Sequence, residues 1–368
     1  MFFVPEFKKA KVLYFGFFFL VGVCFCARTQ AQWLYDSQAI MGTKVSVSVW
    51  ADNTEKGEAA IDGVLAIMRG VEQRLSPYIP SSELSILNAN AAIRPVVLSD
   101  EMRLLYERSQ RVFGISEGAF DITFASIGQH YDYREKVLPS DQQVTHLLPA
   151  LSTRHLAFDP SKQTLQFLHP DVAIDLGGVA KGYAVDLAID YLKKQGIKHA
   201  YVGAGGDSRV LGDRRGKPWI IGIKNPRLAN AYSKNTSPPN DTNKSDTQSY
   251  NHKSNPKDQT PSFVIRLPLV DTAISTSGDY ERFFIDGATG QRIHHILNPQ
   301  TGRSATGVMS VTVLGDTGLG TDPLSTAVFV MGVKRGLKLI NQLPNYDAII
   351  IDSAGQVHYS NGLMPPAP

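Results

Sequence analysis

Apolar positions recur at helical spacing over residues 55–75, where Ile61, Val64, Leu65, Met68, Val71 and Leu75 line one face and predict a helix. Ser99 reads as an N-cap, with Met102, Leu105, Ser109 and Val112 on one face of a second helix ending near Gly114. Between them, residues 76–88 read as a loop. After Met41-Gly42-Thr43, the alternation Lys44-Val45-Ser46-Val47-Ser48-Val49 predicts an opening strand with one face in water. Residues 200–202, 219–223 and 310–314 read as further strands. Residues 280–285 and 291–297 read as a hairpin joined through Asp286-Gly287-Ala288-Thr289-Gly290, and residues 348–352 and 356–359 as a closing one. A last helix is expected to begin at Asp322-Pro323, with Asp322 at its N-cap, and to run through Met331. Hairpins interleaved with helices predict an α+β fold, a mixed β-sheet with helices packed on it.

One stretch organises the rest. Residues 172–176 form a short apolar run broken by Asp175, which suits a buried strand. Gly177-Gly178 follows, where the missing Cβ atoms let the backbone turn and approach a ligand closely. From Val179 a helix is legible through Ala180, Tyr183, Ala184, Leu187, Ala188, Tyr191 and Leu192, with Gly196 as its C-cap. Backbone N–H groups and the positive end of a helix dipole then meet at one spot suited to phosphate, framed by Asp175 and Lys181. A strand–turn–helix corner without a ligand has the same pattern.

Composition narrows the class. With 43% hydrophobic and 19% charged residues, the 368-residue chain can bury an ordinary globular core. Its 37 Lys and Arg against 34 Asp and Glu are scattered, which does not suggest nucleic acid. Lys8, Lys9 and Lys11 precede an apolar run over residues 12–27, and Thr29-Gln30-Ala31 offers small residues for cleavage. Residues 1–31 are therefore expected to be a signal peptide, exporting the chain to the periplasm; an uncleaved anchor in the inner membrane is the alternative. Both cysteines, Cys24 and Cys26, lie in this leader, so a cleaved chain has no disulfide, thiolate or cysteine-ligated metal. The remainder, residues 32–368, reads as one domain carrying a disordered polar insertion at about residues 230–262.

Candidate chemistry gathers in Asp322-Pro323-Leu324-Ser325-Thr326. Asp322 and Thr326 are four apart, so a carboxylate and a hydroxyl share a helix face, as a hard cation such as Mg²⁺ would require. An Asp before Pro is equally an ordinary cap. Asp121 and His295 are candidates for proton chemistry, although a lone Asp in a Gly-Ala-Phe-Asp turn is commonly a local acceptor. His294 and His295 alternate in a strand, so only one can face a cleft. Tyr78 and Met41 could line a flat ring or merely pack.

The set Met41-Gly42-Thr43, residues 76–88, 118–123 and 175–186, Gly205-Gly206-Asp207, and residues 275–280, 295–302 and 322–327, in that order, resembles the ApbE-like FAD:protein FMN transferases. The resemblance runs from about Trp33 to the C-terminus, apart from the polar insertion. It implies that FAD is a substrate contacted by Met41, Tyr78, Ala119, Phe120, Asp121, Asp175, Lys181 and Ile274. It also implies Mg²⁺ held by the Gly178 carbonyl with Asp322, Ser325 and Thr326, and His295 near the pyrophosphate as candidate base. The partner implied is an acceptor flavoprotein with a Thr or Ser flavinylation motif, a subunit of a membrane redox complex; homodimerisation stays open. Gly203 stands where relatives often carry Asn, and Pro323 where a small residue is usual. The rival functions are a Mg²⁺-dependent FAD pyrophosphatase giving FMN and AMP, and a flavin-binding protein without turnover. Asp286-Gly287-Ala288-Thr289 resembles the segment that these enzymes modify, but its hairpin signal accounts for it, and self-modification at Thr289 is not expected.

Overall fold

The structure is a computed structural model that describes residues 31–226 and 263–364. The expected signal peptide, apart from Ala31, and the whole of the expected polar insertion lie outside the described residues. The main sheet contains β1 (Gln32–Ile40), β2 (Thr43–Ala51), β3 (Ala200–Ala204), β4 (Asp207–Leu211), β5 (Ala273–Gly278), β6 (Val308–Gly315), β7 (Asp347–Asp352) and β8 (Val357–Tyr359). Their order across the sheet is their order along the chain. The class is the α+β expected; within it, every described strand pairing is antiparallel rather than mixed. An antiparallel meander needs only turns between neighbours, and the helices enter as insertions between strands.

The first turn shows how local chemistry sets the register. β1 and β2 pair from Gln32↔Ala51 to Ile40↔Thr43, leaving Met41 and Gly42 as a two-residue connection. Their φ values of 56° and 64° give the left-handed pair that matches strand twist. Val45, Val47 and Val49 then all fall on the covered face of β2.

Helices α1 (Thr54–Leu75), α2 (Glu83–Asn90), α3 (Asp100–Ile115), α4 (Ala180–Lys194) and α5 (Gly318–Ile340) follow the apolar stripes, with two departures. The expected loop over residues 76–88 contains the start of α2, capped by Ser82, whose Oγ accepts Ser85 N–H at 3.0 Å. With Leu84 and Leu87 as its buried residues, α2 is too short to show a period. The helix expected to start at Asp322 starts at Gly318 instead, where Thr317 Oγ1 accepts Gly320 N–H. Pro323 is thus inside α5, and the Leu319 carbonyl that it cannot bond accepts Arg108 Nε at 3.1 Å. At Gly332 (φ 76°, ψ 178°) the helix breaks, just after the expected end at Met331, and a second piece continues to Ile340.

α1, α4 and α5 cover one face of the sheet. Alternate residues of β6 divide between the two faces: Val311 and Val313 join the helix side, and Leu314 joins Val210, Trp219, Leu269 and Ile274 on the other. That second face is covered by a separate two-stranded ribbon, Trp219–Lys224 with Phe263–Leu269. Among the described residues, no helix is long and apolar enough to cross a membrane.

Candidate active site

Residues 172–176 are extended but not a strand, which corrects the expectation. The segment is satisfied by side chains instead of a ladder. Ile174 N–H donates to Asn88 Oδ1 and Asn88 Nδ2 donates to Ile174 O, both at 2.9 Å. Ala173 N–H donates to Ser126 Oγ, and Asp175 N–H to Ile122 O at 2.9 Å. Asp121 holds the neighbouring turn: one carboxylate oxygen accepts Thr123 N–H and Oγ1, the other Thr153 N–H. Burial raises the Asp121 pKa, opposed by these bonds.

The Gly177-Gly178 corner follows. Asp175 Oδ1 accepts Gly177 N–H at 2.5 Å, and Lys181 Nζ donates to Gly177 O at 2.6 Å, so acid and base hold the two sides of one peptide corner. Burial raises the Asp175 pKa, with that backbone bond, Lys181 and Arg282 opposing. A Cβ on Gly178 would stand 3.0 Å from the Phe120 ring and 3.7 Å from Thr326 Oγ1, which places this residue against α5.

α4 and α5 cross in backbone contact: a Cβ on Gly182 would lie 2.1 Å from Gly318 O. This closeness permits reciprocal capping. Asp322 of α5 accepts Gly182 N–H of α4 at 3.0 Å. Asp186 of α4 accepts Gly318 N–H at 2.9 Å and Leu319 N–H at 2.8 Å at the start of α5. Asp322 therefore caps the neighbouring helix and not its own, a second correction.

Around Asp322 a polar cluster is enclosed. Lys181 Nζ lies 3.1 Å from Asp207 Oδ2 and 3.4 Å from Asp322 Oδ2, and both carboxylates are 3% exposed. Burial pushes Asp322 up to about 7, with Asp207 adding and Lys181 opposing. Burial pulls Lys181 down, but the two carboxylates outweigh it and hold the ammonium above its usual range. Ser277 Oγ of β5 bonds Ser325 Oγ at 2.8 Å and Thr326 Oγ1 at 3.1 Å, and Ser325 Oγ donates to Asp322 O. Among the described residues, no three His, Cys, Asp or Glu side chains converge as a metal-binding group. The donors present are carboxylate, hydroxyl and carbonyl oxygens, and with both carboxylates ionised against one ammonium the cluster carries one net negative charge. That chemistry fits a hard divalent cation that takes one or two carboxylates.

His294 and His295 divide as expected. His294 is buried, its Nε2 bonded to Ala305 O and its Nδ1 accepting Ile296 N–H. His295 faces Arg282, whose carbonyl lies 3.4 Å from His295 Nδ1. Burial, then the Arg282 guanidinium, lowers His295 to about 3, so the ring is neutral. Arg282 Nη2 also donates to Gly42 O, tying the Met41-Gly42 turn to this side of the site, while Glu72 accepts Met41 N–H at 2.7 Å. Tyr78 is 84% exposed on the loop after α1; Ala119 and Phe120 are buried in their turn.

The structure brings together Gly178, Lys181, Asp322, Ser325 and Thr326. It does not bring the Ile274 side chain there, for Ile274 points into the cluster on the opposite sheet face. Asp207, Ser277, Asn88, Asp186 and Arg282 were not assigned roles from sequence. Ser275 and Ser277, two apart in a strand, had a legible shared face; Arg282 had no signal.

A family model described as the ApbE family matches residues 41–350. The chain is 30% identical over 307 residues to the FAD:protein FMN transferase of Vibrio cholerae, covering 81% of this chain and 82% of that protein. It is 27% identical over 364 residues to the FAD:protein FMN transferase of Treponema pallidum, covering 94% and 92%. Among solved structures it is similar to the ApbE protein of Thermotoga maritima, with TM-score 0.73, 28% identity and coverage of 90% and 98%. It is also similar to the flavin transferase ApbE of Vibrio cholerae, with TM-score 0.72, 26% identity and the same coverage.

Proposed function

The chain belongs to the ApbE family, and from that premise we propose that it is an FAD:protein FMN transferase. It transfers the FMN moiety of FAD to a threonine or serine hydroxyl of an acceptor flavoprotein and releases AMP. The observation that carries this reading is the enclosed oxygen cluster of Asp322, Ser325, Thr326 and Ser277 beside the Gly177-Gly178 corner, with Lys181 between them.

In the reaction, the acceptor hydroxyl oxygen forms a bond to the phosphorus on the FMN side. The P–O bond to the AMP phosphate breaks, AMP leaves with that electron pair, and the hydroxyl proton passes to a base. Backbone groups of the glycine corner and the start of α4 supply fixed dipoles toward the pyrophosphate. Lys181 adds a positive charge that needs no reorganisation, since its position is already set. Gly178, Asp322, Ser325 and Thr326 are the residues that would hold Mg²⁺, which when bound neutralises charge on phosphate oxygens. His295 is neutral, so it can accept the hydroxyl proton, and the negative pyrophosphate beside it favours the imidazolium that results. Met41 and Tyr78 would border the isoalloxazine, a role for Tyr78 supported by its 84% exposure. The expected export is part of this proposal: the acceptor is a periplasm-facing subunit of a membrane redox complex.

The test is to incubate the protein with FAD and Mg²⁺, with and without an acceptor flavoprotein. A fluorescent acceptor band with stoichiometric AMP supports the transferase. AMP at the same rate without acceptor makes it a pyrophosphatase, and unchanged FAD makes it a binder. Thr289 stays unmodified in either arm, since its N–H and Oγ1 both bond Asp286 within the turn.

A further inference from the structure

Lys181 has three ammonium donors and three oxygens around it: Gly177 O at 2.6 Å, Asp207 Oδ2 at 3.1 Å and Asp322 Oδ2 at 3.4 Å. The longest contact is the one to Asp322, whose carboxylate also accepts Gly182 N–H and whose backbone carbonyl accepts the Ser325 hydroxyl. Asp207 is held without freedom of its own. It opens β4 directly after Gly205 (φ 65°) and Gly206, where a Cβ on Gly206 would lie 2.3 Å from Thr276 O. Asp207 also pairs with Ser275 of β5. At 3% exposure its carboxylate is buried, with the Lys181 ammonium 3.1 Å from Oδ2.

We propose that Asp207 is the positioning residue of this site: it anchors the Lys181 ammonium at the glycine corner and so keeps it from neutralising Asp322. The inference rests on the cation site read above. A divalent cation and an ammonium compete for one carboxylate, because each places positive charge within a few ångströms of the same oxygens. A second carboxylate resolves the competition by giving the ammonium a partner that the cation does not use. With Asp207 neutral, Lys181 has a single carboxylate left, Asp322, and closes on it. The cluster then carries no net charge and its attraction for a dication falls.

The experiment measures Mn²⁺ binding to the full chain by electron paramagnetic resonance, without flavin, alongside the melting temperature of each variant. Asp207→Asn keeps the shape and an oxygen acceptor, and its Mn²⁺ affinity should fall at least about tenfold. Lys181→Met removes the competitor and should bind Mn²⁺ at least as tightly as wild type. The combination Asp207→Asn with Lys181→Met restores the net charge at Asp322 and should recover wild-type affinity within about threefold, a recovery that neither a ligand nor a packing role produces. A double variant as weak as Asp207→Asn overturns the proposal, because Asp207 would then ligate the cation itself. Asp207→Asn with unchanged affinity also overturns it. If Asp207→Asn does not fold, Lys181→Met decides alone, and weaker binding than wild type sinks the idea. No Mn²⁺ binding by the wild type overturns the cation site and this inference together.

Discussion

Asp322 shows how one side chain carries two duties that a substitution can separate. Its carboxylate accepts Gly182 N–H at 3.0 Å, and it supplies charge to the cluster beside Lys181. Asn keeps the acceptor and loses the charge, so Asp322→Asn should melt within a few degrees of wild type while Mg²⁺-dependent AMP release falls by about a hundredfold or more. Full activity in the folded variant would leave Asp322 only a cap. His294 supports a different prediction. Burial lowers it to about 4 from 6.5, so between those values the unfolded chain binds a proton that the folded chain does not. Its contribution is present above pH 6.5 and is lost as pH falls toward 4, roughly 3 kcal/mol in all at 1.36 kcal/mol per unit. In urea titrations from pH 7 to 4, His294→Gln should lose that much less stability than wild type. Equal losses would show that His294 is not buried neutral. The candidate residues Lys181 and Thr326 were legible from a fixed offset in a glycine corner or a helix turn, whereas Ser325 came only from the resemblance. Asp207 and Arg282 act across β4 and a loop remote in sequence, so no local spacing reveals them.

At the scale of elements, the site depends on how closely α4 and α5 approach. Glycine within a helix normally lowers stability by up to about 1 kcal/mol relative to alanine, so Gly182→Ala should stabilise on propensity alone. Sterics outweigh this: a Cβ there meets Gly318 O at 2.1 Å and Asp322 Cβ at 2.8 Å, and neither can yield without moving α5. Overpacking of this kind costs about 1–3 kcal/mol. Gly182→Ala should therefore melt lower than wild type, and it should weaken cation binding because the Asp322 carboxylate moves with the helix. A rise in melting temperature would mean that the helices are not in backbone contact. The capping explains the misread start of α5. Asp-Pro is a sound local start signal, yet Thr317 and the Asp186 carboxylate, 132 residues before Gly318 in the chain, provide a start one turn earlier. The extended segment before Gly177 was misread for a similar reason. Its apolar run has a strand's composition, but Asn88 and Ser126 from distant elements take the place of a neighbouring strand.

For the whole molecule, β1, β4 and β5 were not read as strands, whereas β2, β3, β6, β7, β8 and most helices were legible because burial on one face imposes a period of two or 3.6 on the sequence. The order of strands was not, since hydrophobicity records which face a residue takes and not which strand lies beside it. The two-faced sheet leads to the last prediction, about Ile274. Resemblance puts it beside the flavin, whereas its side chain packs with Val210, Trp219, Leu269 and Leu314 under the ribbon, on the face away from Asp322. Its neighbour Ser275 points the other way, bonding Thr321 of α5 at 2.8 Å. Any contact of Ile274 with FAD must then run through its backbone, which a side-chain truncation preserves. Ile274→Ala deletes buried methyl and methylene groups from a closed cluster and should cost about 2–5 kcal/mol of stability. FAD affinity, measured by fluorescence quenching well below the variant's melting temperature, should stay within about twofold of wild type, since a loss smaller than 0.5 kcal/mol is all that a distant packing change transmits. A tenfold loss of FAD affinity with unchanged melting temperature would place the Ile274 side chain at the flavin and contradict the face assigned to it here.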